Sequence, residues 1–181
     1  MIKIDILILF MKIILLGYMG CGKSVIGAFL AEKLQIPFYD LDQEIEKETQ
    51  ISIAELFQTR GEIYFRKKEN EILKTFLAKE NDFALSLGGG TPCFNNNIEL
   101  LKKSGQLIYL KMDAEALLKR VFGIKANRPL LANQEEKDML PYIEELLQKR
   151  APFYEQSNLT VYHNNLHEDE FKETVLNFIK K

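Results

Sequence analysis

At 181 residues with 46% hydrophobic content, the chain is long enough to bury a substantial core and short enough to be read as one domain, residues 1–181. A formal charge of −2, with 28% charged residues of both signs, provides no basic excess for a nucleic-acid surface. Two cysteines, Cys21 and Cys93, make neither a disulfide framework nor a metal site by their spacing, and their presence favours a reducing compartment, the cytoplasm.

The first ten residues are apolar apart from Lys3 and Asp5. They carry an acid, lack a small-residue cleavage pattern and run straight into the next segment, so they do not read as a secretion signal. Lys12 and Gly17 keep the apolar stretch short of a membrane span. The expectation is an atypical extension, 1–10, that forms either an added strand or a disordered tail.

Met11 to Leu16 reads as a buried strand. It leads into Gly17-Tyr18-Met19-Gly20-Cys21-Gly22-Lys23-Ser24, a G-x-x-x-x-G-K-S phosphate-binding loop. Val25 to Leu34 then carries Ile26, Phe29, Leu30 and Leu34 at helical spacing. Glycines between a strand and a helix let several N–H groups converge on phosphate oxygens at the positive end of the helix dipole. Lys23 is placed to reach the β- and γ-phosphates, and the Ser24 hydroxyl to ligate Mg²⁺.

Pro37 to Tyr39 is a short strand ending in Asp40-Leu41-Asp42. Residues at i and i+2 of an extended chain share a face, and carboxylates at a strand's C-terminal end point into the crevice of an α/β sheet. The pair can serve one site, one acid near the metal and one on a substrate hydroxyl. Asp42 is equally placed to cap a helix ahead of Ile45. Ser52-Ile53-Ala54-Glu55 is a capping box for a short helix, and a longer one follows from Glu62 to Lys79, with Arg66 near its start. Phe83 to Leu87 is a buried strand ending in Gly88-Gly89-Gly90, where backbone approaches something closely.

Asn95 to Lys103 reads as a helix, Gln106 to Leu110 as a strand, and Asp113 as the cap of a helix through Phe122. Residues 123–136 lack periodicity, contain Arg128-Pro129 and are long for a connection, as lids are. Pro141 is placed to open a helix at its first turn, with Arg150 near the middle. Leu159 to Tyr162 is a last strand and Glu168 to Ile179 a last helix. Strands alternating with helices make an α/β, three-layer sandwich around a parallel sheet. Only five of 24 basic residues are arginine, Arg60, Arg66, Arg120, Arg128 and Arg150, which marks them as sites for a planar bidentate donor.

Assembled in order, the phosphate loop, Asp40-Leu41-Asp42, Gly61-Glu62-Ile63-Tyr64-Phe65-Arg66, Leu87 to Gly90, Arg128-Pro129-Leu130-Leu131 and Arg150-Ala151-Pro152-Phe153-Tyr154 resemble the shikimate kinases. The resemblance covers nearly all of the chain from Met11 onward. It implies a P-loop kinase fold with a lid, strand order 2-3-1-4-5, and transfer of the γ-phosphoryl of ATP to the 3-hydroxyl of shikimate in aromatic amino-acid biosynthesis.

By resemblance, the nucleotide lies on Gly20, Cys21, Gly22, Lys23, Ser24 and Val25, with Arg120 stacked on adenine and Arg128 on the phosphates. Ser24 holds Mg²⁺ directly and Asp40 through water. Asp42 binds ring hydroxyls and is placed to take the 3-hydroxyl proton. Arg66 and Arg150 grip the carboxylate beside Gly88, Gly89 and Gly90. The expected partner is the small-molecule shikimate, with no nucleic acid or membrane, and the expected state is monomeric. Gluconate and nucleoside monophosphate kinases are the nearest rivals. A GTP-dependent switch would want D-x-x-G and N-K-x-D motifs, which the sequence lacks.

Because the resemblance begins near Met11, a chain starting there is expected to be soluble and fully active. Insolubility of that shortened chain would make residues 1–10 part of the core.

Overall fold

A strand covered on both faces carries apolar side chains at successive positions, and Lys12–Leu16 (β1) does so. Ile13 and Leu15 enter one core, Ile14 and Leu16 the other, and all four are fully buried. In the computed structural model, which describes residues 11–122, 136–162, 164 and 168–180, β1 is the centre of a five-stranded sheet. The other strands are Phe38–Asp40 (β2), Phe83–Ser86 (β3), Gln106–Lys111 (β4) and Leu159–Tyr162 (β5). All pairings are parallel, in the order β2-β3-β1-β4-β5. Register is set by pairs such as Ile14 with Leu85 on one side and Ile14 with Leu107 on the other.

Helices cover both faces, giving the three expected layers. One face takes Lys23–Leu34 (α1), Ala114–Phe122 (α5), Glu136–Tyr154 (α6) and Glu168–Ile179 (α7), which send Leu30, Leu117, Ile143 and Phe171 onto Ile13 and Leu15. The other takes Leu41–Thr49 (α2), Ile53–Leu77 (α3) and Asn97–Ser104 (α4), with Ile45, Leu73 and Leu101 against Ile14 and Leu16. Among the described residues, no helix is long and apolar enough to cross a membrane.

Three expectations change. The Ser52-capped helix and the helix from Glu62 form one run, α3, broken only at Gly61, whose φ of 77° and ψ of 170° are not helical. The cap at Ser52 is in place, with its Oγ accepting from the Glu55 N–H at 3.2 Å. Second, α6 begins at Glu136, so Pro141 lies inside it rather than in its first turn. Only the first four N–H groups of a helix lack an intrahelical acceptor, and Pro141 is the sixth residue. The lid range therefore loses Glu136, while residues 123–135 and the 1–10 extension lie outside the described residues. Third, the cap of α2 falls on Asp40, whose carboxylate accepts from the Asp42 N–H, and Asp42 sits in the first turn.

The strand order reverses on either side of β1, which has β3 on one flank and β4 on the other. Crevices for ligands open at such switch points, beyond the strands' C-terminal ends. The phosphate loop after β1, Asp40 at the end of β2 and the triple glycine after β3 all emerge there.

Gly105, between α4 and β4, measures how tightly that sheet is packed. A Cβ there would lie 2.3 Å from the Lys12 carbonyl oxygen, an atom of β1 backbone that cannot swing aside. Gly105→Ala is expected to cost about 1–3 kcal/mol, read as a lower urea midpoint; an unchanged midpoint would show that the turn relaxes freely.

Candidate active site

The phosphate loop is built by glycines in the left-handed region: Gly20 has φ of 81° and Gly22, which precedes α1, has φ of 94°. Such torsions turn the chain sharply at the start of α1 without a Cβ in the way. Lys23 is folded back over this loop and 8% exposed. Its Nζ donates to the Gly17 carbonyl at 2.8 Å and the Tyr18 carbonyl at 2.9 Å. Both of these acceptors are neutral carbonyl oxygens, which an anion can displace. Ser24 Oγ donates to Asp40 Oδ2 at 2.7 Å. One carboxylate thus caps α2 through Oδ1 and orients the Ser24 hydroxyl through Oδ2. Gly20, Gly22, Lys23, Ser24, Val25 and Arg120 line one cleft together with Asp40 and Asp42. Cys21 departs from this set, since its side chain is fully buried with Sγ 3.9 Å from Lys23 Nζ.

Next to it is a second pocket. Ile53, Phe57 and Phe65 line it with apolar surface, and Gly88, Gly89 and Gly90 line it without side chains. Arg66, Arg150, Asp42 and Glu69 bring charge to it. Arg66 is 9% exposed and fixed on several sides. Its Nη1 donates to Glu69 Oε2 at 2.8 Å and its Nε to Glu62 Oε1 at 3.3 Å. The Phe94 ring centroid lies 4.0 Å from its Cζ, a cation–π contact. Glu69 is fully buried, and its other oxygen, Oε1, accepts from Thr91 Oγ1 at 2.6 Å. The Thr91 carbonyl in turn accepts from Asn97 Nδ2 at 2.8 Å. This chain of bonds ties α3 to the turn after the triple glycine.

Arg150 differs. It is 8% exposed, and its Nη1 is buried with no hydrogen-bond partner among the described residues. A buried donor without an acceptor is costly unless a ligand supplies one. The glycines make room for both arginines. A Cβ on Gly90 would lie 2.6 Å from Arg66 Nη2, and one on Gly89 would lie 3.1 Å from Arg150 Nη1. Burial pushes the Tyr18 phenol up to about 12, against the opposing pull of Arg150. Burial likewise pushes the Cys93 thiol up to about 11, despite the two arginines, so it stays protonated at neutral pH and is no nucleophile.

The two spaces have Met19, Asp42, Gly88 and Gly89 in common, so they meet at one wall with a carboxylate in it. All the expected site residues other than Cys21 and Arg128 border one or both; Arg128 lies outside the described residues. Sequence reading missed Glu69, Thr91 and Phe94. Glu69 alone had a local signal, standing three residues after Arg66 on one helix, where side chains meet.

A phosphate loop on a 2-3-1-4-5 parallel sheet, opening beside a small pocket with two arginines, defines a P-loop kinase acting on a small anionic acceptor. The family model for shikimate kinase matches residues 19–180. The shikimate kinase of Flavobacterium johnsoniae is 42% identical over 93% of this chain and 98% of its own length. In a crystal structure, the shikimate kinase of Bacteroides thetaiotaomicron is 35% identical with a TM-score of 0.85, covering 94% of this chain and 97% of that one. That of Acinetobacter baumannii, solved in complex with shikimate, is 33% identical with a TM-score of 0.86, covering 94% and 93%. The chain belongs to the shikimate kinase family. A deoxyadenosine kinase from M. mycoides with bound dATP, at 20% identity and a TM-score of 0.62, shares the fold alone.

Lys23→Ala is expected to abolish phosphoryl transfer while the circular dichroism spectrum stays that of the wild type. Near-normal turnover in that variant would remove the loop from the chemistry.

Proposed function

We propose that this chain phosphorylates the 3-hydroxyl of shikimate with ATP, yielding shikimate 3-phosphate and ADP in the biosynthesis of chorismate and the aromatic amino acids. The observation that carries this reading is the pocket with Arg66 and Arg150, joined at Asp42 to the phosphate-loop cleft. A carboxylate answers two guanidinium groups, because the arginine fork is bidentate. Ring hydroxyls answer Asp42. A nucleotide acceptor would instead ask for a base pocket. Membership of the family supports ATP as phosphoryl donor.

In this reading Lys23 leaves the Gly17 and Tyr18 carbonyls for the β- and γ-phosphates, and the loop's N–H groups take the phosphate oxygens. Ser24 and Asp40 would hold Mg²⁺, which would supply positive charge against that of the phosphates. Ser24 Oγ and Asp40 Oδ2 fit such an ion, being hard oxygens already 2.7 Å apart. Mg²⁺ is usually held by one or two carboxylates, phosphates and water, so one hydroxyl and one carboxylate are a sufficient share from the protein. Asp42 orients the acceptor hydroxyl toward the shared wall and takes its proton. Arg120 borders the nucleotide cleft and is assigned to the adenine. The protein is proposed to act as a cytoplasmic monomer.

Phosphoryl transfer needs little covalent help from the protein, so these residues work by position and charge. Glu69 holds Arg66 in one plane, and the Gly88–Gly90 wall lets the acceptor ring approach.

An assay coupled to ADP release, run with shikimate, quinate, gluconate and AMP, is expected to give turnover with shikimate far above that with gluconate or AMP. Faster turnover with either of those two would overturn the assignment. Arg66→Lys keeps the charge and loses the fork, so KM for shikimate is expected to rise about tenfold or more, with ATP binding in its absence unchanged.

A further inference from the structure

Arg150 and Tyr154 stand four residues apart on α6, on the same face of the helix. Tyr154 is fully buried, its ring packed on Tyr109 with centroids 5.0 Å apart. Burial raises its phenol far above the ordinary tyrosine range, so the hydroxyl is a neutral donor throughout the working pH range. Tyr154 Oη donates to the Gly89 carbonyl, and its oxygen side faces the Arg150 guanidinium, which pulls the phenol's titration the opposite way. The bond crosses from the last turn of α6 to the middle of the triple-glycine wall.

Glycines have no side chains to hold them, and Gly89 and Gly90 belong to no regular helix or strand. The Gly88 and Gly90 carbonyls accept from the Thr91 and Cys93 N–H groups of the following turn, whereas the Gly89 carbonyl reaches across to α6. The Gly89–Gly90 peptide is planar and trans, so fixing the oxygen also fixes the opposite direction of the Gly90 N–H. The same wall sets the clearance for both guanidinium groups, since added Cβ atoms on Gly89 and Gly90 would strike Arg150 Nη1 and Arg66 Nη2 respectively.

We propose that the Tyr154 hydroxyl is a positioning group for the acceptor pocket, holding the Gly89–Gly90 peptide in register with the Arg150 guanidinium on its own helix and with Arg66 opposite. This rests on the shikimate reading above and adds a residue to it. The hydroxyl touches no reacting atom. It fixes the wall against which the acceptor carboxylate meets its two arginines, so its loss weakens acceptor binding and leaves the nucleotide side alone.

Tyr154→Phe in the full chain removes one oxygen and keeps the ring on Tyr109. KM for shikimate is expected to rise about five- to tenfold, consistent with the loss of one buried hydrogen bond. The kcat at saturation and the Kd for ATP measured without shikimate should stay within twofold of wild type. Tyr109→Phe, which alters the packed neighbour and leaves the bond, should keep KM for shikimate within twofold. A Tyr154→Phe enzyme with wild-type KM and only a lowered Tm would make the bond purely a matter of stability and overturn the proposal. So would an equal rise in KM in Tyr109→Phe, which would trace the effect to packing. Wild-type turnover of shikimate, measured alongside, tests the parent reading separately.

Discussion

Two guanidinium groups leave water at the same pocket, and one buried carboxylate stands among them. Glu69 neutralises Arg66 and is itself fully satisfied, with its second oxygen on Thr91. Arg150 faces the pocket with a buried, unpartnered Nη1. The Tyr18 ring, with its centroid 5.5 Å from Arg150 Cζ, offsets part of the charge, but a buried N–H without an acceptor still costs stability. An anionic ligand would supply the missing acceptor. The triple glycine, the Thr91–Asn97 link and the cation–π lid of Phe94 on Arg66 follow from the need to hold two like charges at a fixed spacing.

Four residues border both spaces, and two of them are glycines. Met19, Gly88 and Gly89 belong to both sides, and Asp42 is the ionisable group common to them. Asp40, two residues earlier, is drawn away from the acceptor side by its bonds to Ser24 and to the backbone of α2. Asp40 is thus committed to the phosphate loop and the start of α2, while Asp42 stands where both spaces meet.

Much of this was legible in the sequence because it is local. The phosphate loop announces itself by glycine spacing between a strand and a helix, and the doubly buried strands by their uninterrupted apolar runs. Arg66 and Arg150 stood out by the scarcity of arginine, and the strand order came with the family resemblance. What was not legible depends on pairs far apart in the chain. Thr91 meets Glu69 across 22 positions, and Tyr154 meets Gly89 across 65. The shift of the α2 cap from Asp42 to Asp40 turns on where β2 stops, and a boundary of one or two residues is beyond what composition can resolve. Pro141 was read as a helix start by its usual preference, whereas the packing of Met139 and Ile143 into the core carries α6 back past it.

Gly61 joins two stretches of α3 that have separate duties: the first brings Ile53 and Phe57 to the pocket, the second Phe65, Arg66 and Glu69. An added Cβ there would meet nothing within 4 Å, so the glycine answers to its dihedral angles alone and not to crowding. A residue with φ of 77° interrupts the helical ladder, and the stiffness of one stretch is not passed to the other. What spans the joint is a pair of rings, Phe57 against Phe65 with centroids 4.7 Å apart. Those rings also form the pocket's apolar wall. The bearing and the latch of this elbow are therefore distinct parts, and the latch is also a wall of the pocket.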